Sequence, residues 1–312
     1  MIGVTFLIQA IIDIGSNTVR MAIYQIDSGR IEMLMKKKHM VGLAAYLKNG
    51  EMQQQGIDKL CEVLNEFKEF LTSFRITDIT AFTTAALRNA KNSQEAVHQI
   101  ITRTGIDVRV LSGDEEAVFD FIGATHNLQD DGGLLIDIGG ASTEVVFYQN
   151  HEIVEKTSLL MGSLSFHTKY VEDILPSTAE IEDMRAEAEQ IIEESEEFAH
   201  VSQAHICGVG GTFKGALALY NELFQQDRHN KLMEADKLKD IIQRFTRDHG
   251  IEQQDTVILL KTVPERLNTI IPGLVIADVL ATRFASHTIA YSDSGVREGY
   301  IYDQIVSKEK NK

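Results

Sequence analysis

The sequence predicts an α/β protein made of two similar halves. Three observations carry this expectation. β-branched runs alternate with helical stretches; a strand–glycine turn–strand unit at 8–26 recurs at 134–148; and a polar, glycine-containing stretch precedes the second copy.

Residues 8–14 (IQAIIDI) read as a strand that ends in the turn Gly15-Ser16-Asn17, and 19–26 (VRMAIYQI) as its return. Lys36-Lys37-Lys38 reads as a solvated strand end. Apolar residues at Leu60, Val63, Leu64, Phe67, Phe70 and Leu71 mark a helix over 54–74. A strand at 76–83, a helix at 93–104 and a strand at 107–111 follow. Ser112 with Glu115 three residues on caps a helix reaching Ala124. Asn127 to Gly133 (NLQDDGG) reads as a domain boundary, giving domains 1–128 and 129–312, with the last helix able to pack back on the first. The second unit then runs Leu134 to Ile138, Gly139-Gly140-Ala141-Ser142-Thr143, and Glu144 to Tyr148. Glu180 to Glu197 reads as a solvated amphipathic helix holding much of the negative charge. A strand at 204–209 leads into a third glycine turn, Gly210-Gly211-Thr212, which opens a helix of small and apolar residues.

Composition narrows the function. Apolar residues are 44% and charged residues 24% of the 312, as in folded soluble proteins. No apolar run reaches the roughly 20 residues that span a bilayer. Met1 to Ile12 lacks a basic leader and a cleavage site and runs directly into Asp13. Cys61 and Cys207 have no metal-ligand spacing, so a reducing cytoplasm is expected. The net charge of −16 argues against nucleic acid or an anionic membrane as partner.

Glycine turns of this kind let phosphate approach backbone amides. The amides of Gly15, Ser16 and Asn17 and of Gly139 to Ser142 are candidate donors, with the hydroxyls of Ser16, Thr18, Ser142 and Thr143. The third turn adds Gly211 and Thr212. Asp13 and Asp137 precede the two hairpin turns, where a magnesium ion bridging to phosphate would sit, and the return strand brings Glu144 near Asp137. Glu115 and Glu116 open a helix. A glutamate there can orient and deprotonate water or merely favour the helix dipole, and spacing leaves both open. Arg88, Lys214, Arg266 and Arg297 are available to neutralise phosphate charge.

Seven ordered segments resemble the exopolyphosphatase/guanosine pentaphosphate phosphohydrolase family of the actin–hsp70–sugar kinase superfamily: DIGSNTVRM, TTAALRNAKN, LSGDEEA, LLIDIGGASTEVV, GVGGTFKGAL, VPERLNTIIPGL and SDSGVREGY. The resemblance implies two ribonuclease-H-like (actin-like ATPase) α/β domains with an interdomain cleft. It places the catalytic base on Glu116 and magnesium, or manganese, on Asp137 and Glu144, with Asp13 of second rank. Phosphate contacts fall on Ser16, Asn17, Arg88, Gly139, Gly140, Ser142, Thr143, Lys214 and Arg266. The implied substrates are inorganic polyphosphate or guanosine pentaphosphate, and the implied assembly is a homodimer. Three positions depart from the pattern: Val118 replaces an arginine, Ala141 replaces the third glycine of the second loop, and no arginine-leucine pair stands near Val41-Gly42-Leu43. Ala141 is compatible with the turn only if its φ is negative. With few basic residues and no appended domain expected, short or medium polyphosphate, or a guanosine polyphosphate, is favoured over very long chains. Two other classes share these loops: a kinase or ATPase of the same superfamily, and a silent sensor of guanosine polyphosphate.

Overall fold

A computed structural model describes residues 6–126, 131–195, 198 and 200–307. The expected extension at 1–5, most of the stretch 127–133, and the acidic run's end at 196–197 lie outside or partly outside these residues. The chain divides into two compact units, Met1–Glu115 with Tyr300–Lys312, and Glu116–Gly299. The division therefore falls inside a helix, between Glu115 and Glu116, and not at 128/129.

In the first unit, β1 (Leu7–Ile14), β2 (Thr18–Asp27) and β3 (Arg30–Met40) form an antiparallel meander. A small hairpin of β4 (Leu47–Lys48) and β5 (Glu51–Met52) precedes α1 (Gln54–Ser73). Next come β6 (Ile79–Thr83), α2 (Ala85–Arg88), α3 (Ser93–Thr104) and β7 (Val108–Val110). The sheet order is β3-β2-β1-β6-β7, with β6 and β7 parallel to β1. Alternate residues of β1 and β2 (Ile12, Ile14, Met21) pack against Leu60, Leu64 and Phe67 of α1 and Ile100 of α3. The opposite face carries Ile11, Asp13 and Arg20, as a period of two requires, and Phe82, which stacks on Tyr300 at 5.5 Å. The lysines at 36–38 lie within β3, at the sheet edge, where Lys37 bonds Glu66; they do not end the strand.

The second unit repeats this plan. α4 (Gly113–Thr125) starts in the first unit, where the Ser112–Glu115 capping box forms in both directions. β8 (Gly132–Ile138), β9 (Thr143–Gln149) and β10 (Glu152–Leu159) make the meander, followed by α5 (Ser163–Tyr170), α6 (Thr178–Glu194), β11 (His205–Val209) and α7 (Gly210–Leu223). The rest is β12 (Leu232–Glu234), α8 (Lys237–Arg244), α9 (Gln253–Thr262), α10 (Ile270–Arg283), β13 (Thr288–Tyr291) and α11 (Val296–Tyr300). Sheet order is β10-β9-β8-β11-β13-β12, the first sheet's order with one antiparallel edge strand added. Leu134, Ile136, Ile138, Val145 and Phe147 face the main core, which α10 enters almost wholly buried. Leu135, Val146, Tyr148, Cys207 and Val209 face the other way and receive Ala117, Phe121 and Ala124 of α4. The same alternation puts Asp137 and Glu144 on the α4 side. The fold thus directs the acids of three elements to one face.

Candidate active site

In the second unit, Asp137 stands directly opposite Glu144 and Ile138 opposite Thr143. Residues paired across antiparallel strands project their side chains together, so the expected proximity of the two acids holds. The turn closes with the Gly139 N–H donating to the Ser142 carbonyl at 2.9 Å. That amide is spent within the turn and is withdrawn as a phosphate donor.

The amides of Gly140 and Ala141 differ. The Gly139 carbonyl accepts from the Ser163 N–H (2.9 Å) and hydroxyl (3.0 Å), and the Gly140 carbonyl from the N–H groups of Leu164 (2.9 Å) and Ser165 (2.8 Å). A trans peptide points its N–H opposite to its C=O. With both carbonyls tied back to the start of α5, the N–H groups of Gly140 and Ala141 must point away from it. Neither has a backbone acceptor among the described residues. Ala141 is absent from the non-glycine residues of positive φ, so the missing third glycine costs no strain. The close approach falls on Gly162, where a Cβ would lie 2.4 Å from the Ala141 nitrogen.

The third turn meets the second hairpin at Asp137. Val209 pairs with Asp137 in the parallel β8–β11 ladder. Gly210 follows with φ 79°, and a Cβ there would fall 2.3 Å from Asp137 Oδ1, so only glycine suits both conformation and space. The Arg266 guanidinium lies against Gly211, with Nη2 1.7 Å from where a Cβ would stand. The first N–H groups of α7 have no intrahelical acceptor and lie beside this cation. The Thr212 hydroxyl donates to the Ile138 carbonyl at 2.8 Å and that of Thr143 to the Met161 carbonyl at 2.8 Å. Both protons hold loops in place and are not available to phosphate. Ser142 is buried and Lys214 is exposed on α7.

Glu116 is buried on α4 with 8% exposure, and Asp120, one turn on, retains 1%. Glu144 is equally buried and accepts from the Ser158 hydroxyl at 2.7 Å. Burial first, then Asp137, Glu116 and Glu144, push the Asp120 carboxyl well above the usual carboxylate range; the Val296 backbone N–H acts the other way. Arg297 lies 4.0 Å from Glu298, whose carboxylate accepts from the Gly295 N–H. Sequence reasoning missed Asp120, Ser158 and the Gly162-Ser163 anchor. An acid four residues after Glu116 on an otherwise apolar helix was the available signal for the first.

In the first unit the Gly15 N–H is likewise spent on the Thr18 carbonyl (3.1 Å). The Ser16 carbonyl accepts from Ala44, and that of Asn17 from Val41 and Gly42. The segment lacking the expected arginine-leucine pair is thus the anchor of this turn. The amides of Ser16 and Asn17 have no backbone acceptor among the described residues. Thr18 turns its hydroxyl to the Met40 sulfur at 3.3 Å, and Arg88 donates to the Leu111 carbonyl at 3.4 Å. Asp13 pairs with Arg20 at 3.3 Å across the hairpin. Its charge is answered within the chain by that guanidinium.

Duplicated meander-plus-parallel sheets, each with a glycine turn after an Asp-Ile strand end, define an α/β protein of two like units. The chain belongs to the Ppx/GppA phosphatase family, whose pattern matches residues 22–308. It is similar to a Haemophilus influenzae protein named "Putative exopolyphosphatase", at 28% identity over 305 residues, covering 97% of this chain and 91% of the relative. An Aquifex aeolicus Ppx/GppA enzyme shares the fold with TM-score 0.74 and 25% identity, over 96% of this chain and 100% of that one. An exopolyphosphatase from Cytophaga hutchinsonii is similar in fold, with TM-score 0.83 and 20% identity over 96% and 98% of the two chains. Among the described residues no helix is long and apolar enough to cross a membrane.

Proposed function

We propose that this phosphatase is an exopolyphosphatase, hydrolysing the terminal phosphoanhydride of inorganic polyphosphate to release orthophosphate. The observation that carries the reading is the meeting, in the second unit, of buried Glu116 with the acids Asp137 and Glu144 beside loops that display amides. Glu116 orients the attacking water and takes its proton. The amides of Gly140, Ala141 and Gly211, with the Arg266 guanidinium, receive charge on the transferred phosphoryl oxygens. Lys214 adds a point charge near this turn. In the first unit the amides of Ser16 and Asn17 form a phosphate-binding turn of the same kind.

A divalent cation fits the second hairpin. The acids there are hard oxygen donors, and both oxygens of buried Asp120 lack a hydrogen bond, so the face has oxygen acceptors open to a cation and its waters. Asp137 and Glu144 would hold magnesium. When bound, the ion would neutralise phosphate oxygens as a Lewis acid.

Phosphate release should be measured with polyphosphate, guanosine pentaphosphate and ATP side by side, with and without Mg²⁺. Release from polyphosphate that depends on Mg²⁺ is the expected result; release from guanosine pentaphosphate alone would transfer the reading to that substrate. Glu116→Gln should lower turnover by about 100-fold or more with an unchanged fold. An unaltered rate would remove Glu116 as base.

A further inference from the structure

We infer that Asp120 is an acceptor for the water ligands of a divalent cation held at Asp137 and Glu144, a second layer of the cation site supplied by α4. The inference rests on the cation reading above and extends it to a residue with no assigned role.

The starting point is a buried carboxyl group whose oxygens have no hydrogen-bond partner. Asp120 is 1% exposed, and neither carboxylate oxygen meets a donor at hydrogen-bond geometry. The Val296 N–H favours its charged form but is too poorly placed to complete a hydrogen bond. Among the described residues no lysine, arginine or histidine pairs with it. The backbone closes tightly on it just before α11, since a Cβ at Gly295 would lie 2.9 Å from Asp120 Oδ1. Its charged neighbours are Asp137, Glu116 and Glu144, all of the same sign. Buried polar groups without partners are rare and costly, and carboxylates gathered on one face favour a bound cation.

The form of that cation follows from a second fact. Among the described residues no three His, Cys, Asp or Glu side chains converge well enough to hold a metal ion between them. With Asp137 and Glu144 as its direct ligands, such a cation would complete its shell with water and phosphate oxygens. Magnesium is commonly bound this way, retaining several of its waters. Water on a divalent cation is a strong hydrogen-bond donor and needs acceptors. The open lone pairs of Asp120, one helical turn beyond Glu116 on the α4 face that meets the sheet, supply them.

Cation binding by the full-length protein provides the test, with free Mn²⁺ followed by its EPR signal and Tm followed with MgCl₂. Asp120→Asn should weaken Mn²⁺ binding by about 10-fold or more, the usual scale for outer-layer partners of a metal. It should also shrink the Mg²⁺-induced rise in Tm while leaving the metal-free protein at least as stable as wild type. Asp120→Leu should do the same with a larger metal-free gain, because it removes an unanswered buried acid. Unchanged Mn²⁺ affinity and an unchanged Mg²⁺ response in Asp120→Asn would overturn the inference. If Asp137→Asn loses binding while Asp120→Asn keeps it, the cation reading stands and the role of Asp120 falls. Wild-type protein that binds neither ion would overturn both.

Discussion

The two hairpins share one register but resolve their buried charge in opposite ways. In each, the residue after the aspartate pairs with the first residue beyond the turn or its neighbour, the glycine amide closes the turn, and another segment ties back the carbonyls. Across from the aspartate, however, stands Arg20 in one and Glu144 in the other. The first hairpin is neutralised by its own return strand, at 3.3 Å. The second doubles its negative charge and faces two more acids on α4. A duplicated scaffold has thus set a cation across from one aspartate and a second acid across from the other.

The largest expected effect breaks this comparison directly. Glu144→Gln keeps the acceptor for the Ser158 hydroxyl but removes the charge, and should cost about 100-fold or more in kcat/KM. Asp13→Asn should stay within about 10-fold, since Arg20 already answers that charge. Equal losses in steady-state phosphate release would show that the hairpins are not functionally distinct. The next effect is on stability. Arg20→Met leaves Asp13 buried beside no cation, and should lower stability by about 1–3 kcal/mol in denaturant titration, tempered because Arg20 is about 30% exposed. A loss within error would mean that Asp13 finds another partner.

The duplicated strand–turn–strand units and the main helices were legible because period-two burial and glycine punctuation are local signals. α1 runs Gln54–Ser73 and α3 Ser93–Thr104, near where apolar spacing puts them. The division of the chain was not legible, because it falls within the continuous helix α4, where composition does not change. Counting residues across the second turn pairs Asp137 with Glu144; the same count across the first gives Arg20, and that step separates the two aspartates. Asp120 escaped for another reason. An isolated acid on a helix ordinarily faces solvent, and only the burial of both faces of the second sheet turns it inward.

The smallest effect concerns what the two anchors share. Ser163 holds the Gly139 carbonyl through both its N–H and its hydroxyl, so Ser163→Ala loses one of two donors and keeps the backbone bond. About 1 kcal/mol is at stake, which corresponds to roughly a five-fold change in an equilibrium. If the anchor aims the Gly140 and Ala141 amides at phosphate, that change should appear chiefly as a higher KM for polyphosphate, with Tm nearly unchanged and recovery in Ser163→Thr, which restores a hydroxyl. A loss of Tm without a change in KM would assign the hydroxyl to holding α5 alone. In the first turn, among the described residues, the Ser16 and Asn17 carbonyls accept only from the backbone of Val41, Gly42 and Ala44, so the matching anchor there offers no hydroxyl to remove.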